Sequence, residues 1–214
     1  MELQARLSRI GGSGINALIL AAGMGLRLRP LTLKTPKPAL LVKGKPIIRH
    51  VLDWLEDVGF DNIYIKLYYL PDQVKKAVGE DENVHYITER NLTPTAYFLK
   101  KHKDKLEEAF LVTNGDTLTN LDLTEFIEFH LTNNNMATVF THDDAIHTGG
   151  TYLFDKEVLD YVKKEDNIPD LMKRLIEKEI PINLFYSDAR YFDVGTQEKL
   201  QKARTLYDKG RKLD

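Results

Sequence analysis

The sequence predicts an α/β fold, with a doubly wound, mainly parallel and Rossmann-like sheet that carries helices on both faces. Short apolar segments typical of strands alternate along the chain with segments of helical periodicity, which is the pattern of a parallel sheet. The first apolar run, residues 17–22, is bounded by glycine and has the length of a strand buried on both faces. The chain has 214 residues, which is enough for one substantial core and too few for two large ones.

Strands and helices alternate through the first half of the chain. Pro46 suits the first position of a helix, and apolar residues recur on one face from Ile47 to Leu55 until Gly59 ends it. The next predicted strands are 63–70, 84–88 and 109–113, with helices beginning at Pro71 and near Pro94. Right-handed crossovers would place the C-terminal ends of these strands on one edge, where such sheets bind ligands.

The same alternation continues to the C-terminus. Asp122 and Glu125 form a capping pair for one helix, and Thr196 caps a final helix. Between them the apolar patterns predict strands 136–141, 149–154, 182–186 and 191–192, and helices 155–162 and 168–177. Residues 1–16 lack core periodicity and contain Gly-Gly-Ser-Gly, so we expect a flexible tail, an expression remnant or a linker there, and a single domain over residues 17–214.

The bulk composition argues against several classes of protein. A formal net charge of −2 argues against a nucleic-acid-binding domain, which usually has a clear basic excess. The absence of cysteine excludes a disulfide framework, a thiolate metal site and a cysteine nucleophile. No apolar run is as long as a membrane span, and the first residues lack the apolar block of a secretory signal. We therefore expect a cytoplasmic protein.

A glycine loop follows the first strand and leads into basic residues. Gly23 and Gly25 are separated by one residue, and the cations that follow are Arg27, Arg29, Lys34 and Lys37. Glycines just past a strand let backbone N–H groups approach a phosphate closely, and cations neutralise a polyphosphate. The loop therefore predicts a site for a nucleoside triphosphate. The alternative is an ordinary loop with basic surface residues, which a bare Gly-x-Gly would favour.

The longer string from Leu18 to Leu41 resembles the signature of the sugar-1-phosphate nucleotidyltransferases, whose first loop runs Gly-x-Gly-Thr-Arg-Leu-x-Pro-Leu-Thr and continues to Pro-Lys-Pro. The residues that fill this pattern are Gly23, Gly25, Arg27, Leu28, Pro30, Leu31, Thr32, Pro36, Lys37 and Pro38. Leu26 stands where the family usually has a hydroxyl residue. The resemblance implies a GT-A-like nucleotidyltransferase fold and transfer of NMP from an NTP to a sugar 1-phosphate, releasing pyrophosphate and making an NDP-sugar.

The resemblance also implies roles for particular residues. Arg27 would hold the β- and γ-phosphates, and Lys37 would lie near the reacting phosphates and the sugar phosphate. Further nucleotide-binding residues would be Leu20, Ala21, Ala22, Gly23, Gly25, Thr95 and Ala96. The wall of the sugar pocket would include Gly149, Gly150 and Tyr152; the alternative for these glycines is a bulge or a packing accommodation within a strand.

Two carboxylates are candidates for a metal site. Asp116 follows the buried strand 109–113, and Mg²⁺ prefers oxygen ligands and binds through one or two carboxylates plus substrate phosphates. Asp193, in Phe-Asp-Val-Gly-Thr, resembles the second metal carboxylate of the family. We therefore expect Mg²⁺ as the cofactor and Arg27, Lys37 and Asp116 as the catalytic residues; ordinary turns are the alternative for both aspartates. A phosphate monoester is already anionic near neutral pH, so no protein base is expected.

One departure from the family pattern leaves the base open. Residues 92–97 stand where the family has a Pro-Leu-Gly-Thr-Ala-Gly loop against the base, and they keep only Thr95 and Ala96 of it. The expected partners are therefore an NTP (GTP, UTP, CTP or dTTP) and a sugar 1-phosphate, without nucleic acid or membrane. A monomer or a homodimer is expected.

A second departure leaves the acceptor open. The segment between Thr141 and Gly149 is short and lacks the family's Glu-Lys pair, whose lysine meets the sugar phosphate. Its polar residues are His142, Asp143, Asp144 and His147, for which a surface turn is favoured over a separate metal cluster. Two alternative functions remain: a cytidylyltransferase acting on phosphocholine or another phospho-alcohol, and a non-catalytic nucleotide-binding regulatory domain.

Overall fold

The computed structural model describes residues 14–60, 62–133, 135–141 and 150–207. In chain order the strands are β1 (Asn16–Leu20), β2 (Leu41–Val42), β3 (Lys45–Pro46), β4 (Ile63–Leu67), β5 (Val84–Thr88), β6 (Ala109–Asn114), β7 (Thr117–Thr119), β8 (Ala137–Thr141), β9 (Thr151–Asp155), β10 (Ile182–Tyr186) and β11 (Tyr191–Asp193). The α-helices are α1 (Ile47–Glu56), α2 (Pro71–Val78), α3 (Thr95–Lys101), α4 (Leu123–Thr132), α5 (Ile168–Glu177) and α6 (Gln197–Leu206). None of the helices in these ranges is long and apolar enough to cross a membrane.

A seven-stranded sheet in the order β10-β8-β9-β6-β1-β4-β5 forms the centre of the described chain. Strands β6, β1, β4 and β5 are parallel, as is the pair of β8 and β10, whereas β9 runs antiparallel to both neighbours. Only residues 142–150 join β8 to β9, which is too short for the crossover that a parallel connection requires. The predicted α/β fold with a mainly parallel sheet is confirmed.

Helices cover both faces of this sheet. Along β1, Ile19 belongs to one core and Leu18 to the other, because successive side chains of a strand point to opposite faces. The first core contains residues of α1, α2 and α4, such as Trp54 and Phe126, and the second contains residues of α3 and α5, such as Phe98. Burial on both faces is the physical reason that the central strands are mainly apolar.

A smaller layer forms a third core beside the central sheet. It consists of the hairpin β2–β3, the antiparallel pair β7–β11 and helix α6, with Val42, Leu118 and Leu200 in its interior. In the β7–β11 pair, Asp193 lies opposite Thr117, which directly follows Asp116. This layer therefore brings together two carboxylates that are far apart in the sequence.

Several element boundaries differ from the sequence prediction, among them that of β9, which was predicted over 149–154 and runs from Thr151 to Asp155. Strand β1 begins at Asn16, whose buried side chain accepts a hydrogen bond from the N–H of Glu107 at 3.4 Å, so the strand takes up the last residue of the predicted tail. Strand β4 ends at Leu67, because Leu70 adopts φ 46° at the start of α2. The predicted helix at 155–162 is the shorter 3-10 helix Lys156–Tyr161.

Candidate active site

The loop after β1 presents backbone N–H groups near the end of the strand. No N–H of residues 22–25 donates a hydrogen bond to another residue of the described ranges. Gly25 has φ 61°, and a Cβ there would lie 2.9 Å from Cγ2 of Thr32, so the turn requires glycine. The hydroxyl of Thr32 donates to the carbonyl of Gly25 at 2.8 Å and holds this shape. The loop can therefore offer several N–H groups to an anion.

The ammonium group of Lys37 lies between the carboxylates of Asp116 and Asp193. Its Nζ atom contacts Asp116 directly and is 3.5 Å from Oδ1 of Asp193. Lys37 is only 8% exposed and begins a 3-10 turn, between Pro36 and Pro38, which restrict the backbone on either side. A cation and two anions from three separate segments are thus held at one point.

The carboxylate of Asp193 has a second cationic partner. The Nζ atom of Lys199, on α6, lies 2.9 Å from Oδ2 of Asp193. Burial by itself would raise the pKa of Asp193, but the hydrogen bond from Lys199 and the charge of Lys37 outweigh burial and hold the pKa below its usual value. Asp193 is therefore ionised at neutral pH.

Arg27 lies beside Asp193 on the exposed side of the site. A Cβ on Gly195 would be 2.9 Å from Nη2 of Arg27 and 3.0 Å from Oδ2 of Asp193. Both charged groups therefore rest against the bare backbone of Gly195, which explains why glycine follows two positions after the aspartate. The guanidinium of Arg27 faces the same cleft as Lys37.

The opposite wall of the site rests on a buried ion pair. Lys66 is 1% exposed, and its Nζ atom donates to the carbonyl of Thr93 and lies 3.2 Å from Oε2 of Glu89. Glu89 in turn accepts hydrogen bonds from the N–H and the hydroxyl of Thr93. Burial lowers the pKa of Lys66, and the charge of Glu89 opposes that shift. These contacts tie the segment after β5 to the central sheet.

Two helix N-termini meet at the end of this wall. The side-chain oxygen of Asn167 accepts a hydrogen bond from the N–H of Thr95 at 3.1 Å, and Oγ1 of Thr95 accepts one from the N–H of Ile168 at 3.0 Å. The carbonyl of Asp166 accepts a hydrogen bond from the N–H of Ala96. The first N–H groups of α3 are therefore satisfied by the segment that precedes α5.

These walls enclose a cleft of about 660 Å³, a volume typical of small-molecule sites. Its charged end contains Arg27, Lys37, Asp116 and Asp193. Its other end is less charged and contains Leu20, Lys66, Leu92, Thr93, Pro94, Thr95 and Asn167. A charged end joined to a partly apolar end suits a ligand that combines a charged group with a ring.

The cleft brings together most of the residues singled out from the sequence: Leu20, Ala22, Gly23, Arg27, Lys37, Thr95, Asp116 and Asp193. Ala21 and Ala96 are buried behind its surface, and Gly25 packs against Thr32. Tyr152 is 5% exposed and stacks on Phe154 in the second core. Direct contact of these residues with a substrate remains a prediction.

Of the two glycines predicted to line the sugar pocket, the structure describes only Gly150. Gly150 has φ 68°, and a Cβ there would collide with the carboxamide of Asn114, which lines the cleft. Its carbonyl accepts a hydrogen bond from the N–H of Asn114 at 3.1 Å, so Gly150 supports the cleft through its backbone. Gly149 and the polar residues His142, Asp143, Asp144 and His147 lie outside the described residues.

Several cleft residues have no assigned role in the sequence analysis, namely Lys66, Asn114, Asn167 and Tyr191. Lys66 has a visible signal, because a lysine inside a short apolar strand must have a buried partner. The sequence around Asn167 predicts only that this residue caps α5. No neighbouring residue in the sequence indicates its contact with Thr95. Burial raises the pKa of Tyr191 to about 12, so its hydroxyl is neutral in the cleft.

The profile of the Nucleotidyl transferase family matches residues 16–149, which is more than half of the chain. The chain belongs to this family. Among the relatives of this nucleotidyl transferase, the bifunctional protein GlmU of Methanocaldococcus jannaschii is 28% identical and covers 91% of this chain. Mannose-1-phosphate guanylyltransferase of Mycobacterium tuberculosis is 31% identical and covers 86% of this chain. The resemblance to sugar-1-phosphate nucleotidyltransferases is confirmed.

Solved structures show the same architecture. A crystal structure described as a glucose-1-phosphate thymidylyltransferase of Bacillus anthracis, in complex with a sucrose, superposes with a TM-score of 0.80 at 21% identity, over 94% of this chain and 98% of that chain. This likeness shows the fold. The present chain spans 55% of the length of the GlmU relative and 62% of the length of the guanylyltransferase relative.

Proposed function

We propose that this nucleotidyl transferase moves a nucleotidyl group from an NTP to a sugar 1-phosphate. The observation that carries the proposal is the meeting of Lys37, Asp116 and Asp193 in one cleft with the glycine loop. This arrangement suits a polyphosphate whose charges must be neutralised while a second phosphate approaches. The name of the guanylyltransferase relative, at 31% identity, supports the same reaction type.

The proposed reaction is a substitution at the α-phosphorus. An oxygen of the sugar phosphate forms a bond to the α-phosphorus, the bond from that phosphorus to the bridging oxygen breaks, and pyrophosphate leaves with the bond's electron pair. The products are an NDP-sugar and pyrophosphate. The attacking oxygen is already an anion near neutral pH, so no side chain has to remove a proton. The protein then contributes positioning and neutralisation of charge.

The residues of the cleft divide this work. The N–H groups of residues 22–25 and the guanidinium of Arg27 bind the β- and γ-phosphates, because both are donors at the exposed end of the cleft. The ammonium of Lys37 is held by its flanking prolines near the α-phosphate, where negative charge builds up during transfer. The base lies against the wall that contains Thr93 and Thr95.

The family implies Mg²⁺, and the residues present fit this ion. Two carboxylates from different segments, Asp116 and Asp193, converge on the ammonium group of Lys37. The space between the two carboxylates therefore stabilises a positive charge. Mg²⁺ typically binds one or two carboxylates plus substrate phosphates, and no group of three or more acidic, histidine or cysteine ligands occurs among the residues that the structure describes. When bound, the ion would neutralise charge on the reacting phosphates.

A pyrophosphate-release screen tests this function. ATP, GTP, UTP, CTP and dTTP are each combined with glucose 1-phosphate, mannose 1-phosphate, N-acetylglucosamine 1-phosphate and phosphocholine in the presence of Mg²⁺. We expect release that requires both an NTP and a sugar 1-phosphate, with an NDP-sugar identified by its mass. Turnover of phosphocholine with CTP alone would favour the cytidylyltransferase alternative. Tight NTP binding without release from any pair would favour a non-catalytic nucleotide-binding domain.

A further inference from the structure

Lys199 reaches Asp193 from a well-anchored helix beside the cleft. Its N–H donates to Oγ1 of Thr196 at 3.2 Å, in the N-terminal cap of α6. Leu200 and Ala203 bury the same helix in the third core. The backbone of Lys199 is therefore fixed, whereas its side chain is 53% exposed and can change partner.

Asp193 is in contact with two ammonium groups, although a single carboxylate carries one charge. Oδ1 is 3.5 Å from Nζ of Lys37, and Oδ2 is 2.9 Å from Nζ of Lys199. A metal ion bound to Asp193 would take over neutralisation of this carboxylate. Because Asp193 is the only acidic partner of Lys199 in the described part of the chain, the ammonium of Lys199 would then need another anion.

Among the described residues, the acceptor phosphate has no cation of its own in the cleft. A phosphomonoester carries between one and two negative charges near neutral pH, and it must come next to the α-phosphate, so its charge has to be balanced. Lys66 is already paired with Glu89. In the proposed reaction Arg27 and Lys37 are taken up by the NTP. Of the cations that form an ion pair with Asp193 in the described residues, Lys199 is the one that is left.

We propose that Lys199 binds the phosphate of the acceptor once the metal ion has taken Asp193. This proposal rests on the proposed function and adds a binding residue on α6 to it. In the absence of substrates, Lys199 neutralises Asp193 and so competes with the metal ion for the carboxylate. Removing the ammonium group of Lys199 should therefore weaken binding of the acceptor phosphate and strengthen binding of the metal ion.

Lys202 provides a matched control for Lys199. It lies three residues further along α6. Lys199 and Lys202 both line a small cavity of about 180 Å³, together with Tyr191 and Asp193. Within the described ranges it forms no ion pair, in contrast to Lys199. Lys202→Ala therefore removes the same charge from the same helix without removing a contact to Asp193.

Equilibrium binding tests the proposal without relying on turnover. Lys199→Ala, Lys199→Arg and Lys202→Ala are compared by calorimetric titration with glucose 1-phosphate and mannose 1-phosphate in Mg²⁺, and by titration with Mn²⁺ alone, followed by electron paramagnetic resonance. We expect Lys199→Ala to weaken sugar-phosphate binding about tenfold, the scale of one charge-assisted contact, and to tighten Mn²⁺ binding. Lys199→Arg should retain most of the sugar-phosphate affinity, and Lys202→Ala should change both affinities by less than about twofold.

Two results would overturn the role of Lys199. One is equal weakening of sugar-phosphate binding by Lys199→Ala and Lys202→Ala, which would reflect only the general charge of α6. The other is weaker Mn²⁺ binding in Lys199→Ala. If the wild-type protein releases pyrophosphate and the variants give either result, this proposal alone is refuted. Absence of release from every pair in the screen would refute the proposed function.

Discussion

Asp193 lies opposite Thr117 in the antiparallel ladder of β7 and β11. Because Asp116 immediately precedes Thr117, this register sets the two carboxylates beside the same ammonium group of Lys37. The third core, which packs α6 against the β2–β3 hairpin, keeps the ladder in place. The chemistry of the cleft therefore depends on the packing of a small layer outside the main sheet.

Replacing Asp116 should separate metal binding from folding. Asp116→Asn keeps the size of the side chain but removes one anionic oxygen ligand, so we expect turnover to fall on the order of 100-fold. The variant should still fold, because Lys37 keeps Asp193 as an anionic partner. Asp188→Asn is the control, because Asp188 is exposed and does not line the cleft. Steady-state kinetics over a Mg²⁺ series measure the effect. Near-native activity of Asp116→Asn at limiting Mg²⁺ would show that this carboxylate is not a ligand.

Lys37 and Arg27 should differ in which kinetic constant they control. Lys37→Ala should lower kcat far more than it raises the KM for the NTP, because a cation near the α-phosphate acts mainly as charge develops in the transition state. Arg27→Ala should raise the KM for the NTP as well, since its guanidinium faces the exposed end of the cleft. Steady-state kinetics at saturating acceptor distinguish the two. The reverse pattern would exchange their roles.

Gly150 should tolerate a methyl group less well than another glycine of positive φ. Gly44 has φ 79°, and a Cβ there would have no other atom within 4 Å, so Gly44→Ala introduces only the strain of a positive φ, about 1 kcal/mol. In Gly150→Ala the methyl group also meets the carboxamide of Asn114, and we expect a total loss of about 2–3 kcal/mol in the free energy of unfolding. Urea denaturation measures both variants. Adding Asn114→Ala should recover part of the loss, and equal costs for both glycine variants would contradict the predicted clash.

The ion pair of Asp166 and Arg174 should make stability depend on pH. Nη2 of Arg174 lies 3.0 Å from Oδ1 of Asp166, and this hydrogen bond holds the pKa of Asp166 below its usual value although burial opposes the shift. A lowered pKa in the folded state means that the stabilisation is complete above the unfolded pKa of about 3.9 and is lost as the pH falls through the folded value. Asp166→Asn should therefore lower the free energy of unfolding at pH 7 and approach the wild type in acid. Urea denaturation of both proteins from pH 7 to pH 3 measures this effect. A difference in the free energy of unfolding that stays constant over this range would contradict the role of the ion pair.

The buried pair of Lys66 and Glu89 should be costly to break from one side. Lys66→Met leaves the carboxylate of Glu89 buried without its cation, so we expect a loss of about 3 kcal/mol in the free energy of unfolding. Changing both partners, Lys66→Met with Glu89→Gln, removes the buried charge and should recover much of that stability. The side-chain oxygen of Gln at position 89 can still accept a hydrogen bond from Thr93, as the carboxylate of Glu89 does. Additive losses in the double variant would contradict coupling between the two groups.

The sequence by itself determined most strands and helices of the main sheet and the first loop, but not the short strands β2, β3 and β7. Apolar runs marked β1 and β6 because these strands are buried. Helical periodicity marked α1 because Arg49, Asp53 and Glu56 share one face, whereas the apolar residues around them are buried. The glycine loop could also be predicted from the sequence. Gly25 has a left-handed backbone conformation, which favours glycine and so leaves a mark in the local sequence. Both signals arise from neighbouring residues along the chain.

Only the tertiary structure decided which distant residues share the cleft. The contact of Asn167 with Thr95 and the contacts of Lys66 and Lys199 with their carboxylates depend on strand register and helix packing. Such pairs form only when the whole core has closed, because the entropy of bringing distant segments together is offset by burial across the entire sheet. A local pattern records whether a residue is buried or capped. It carries no information on which residue far along the chain will stand beside it.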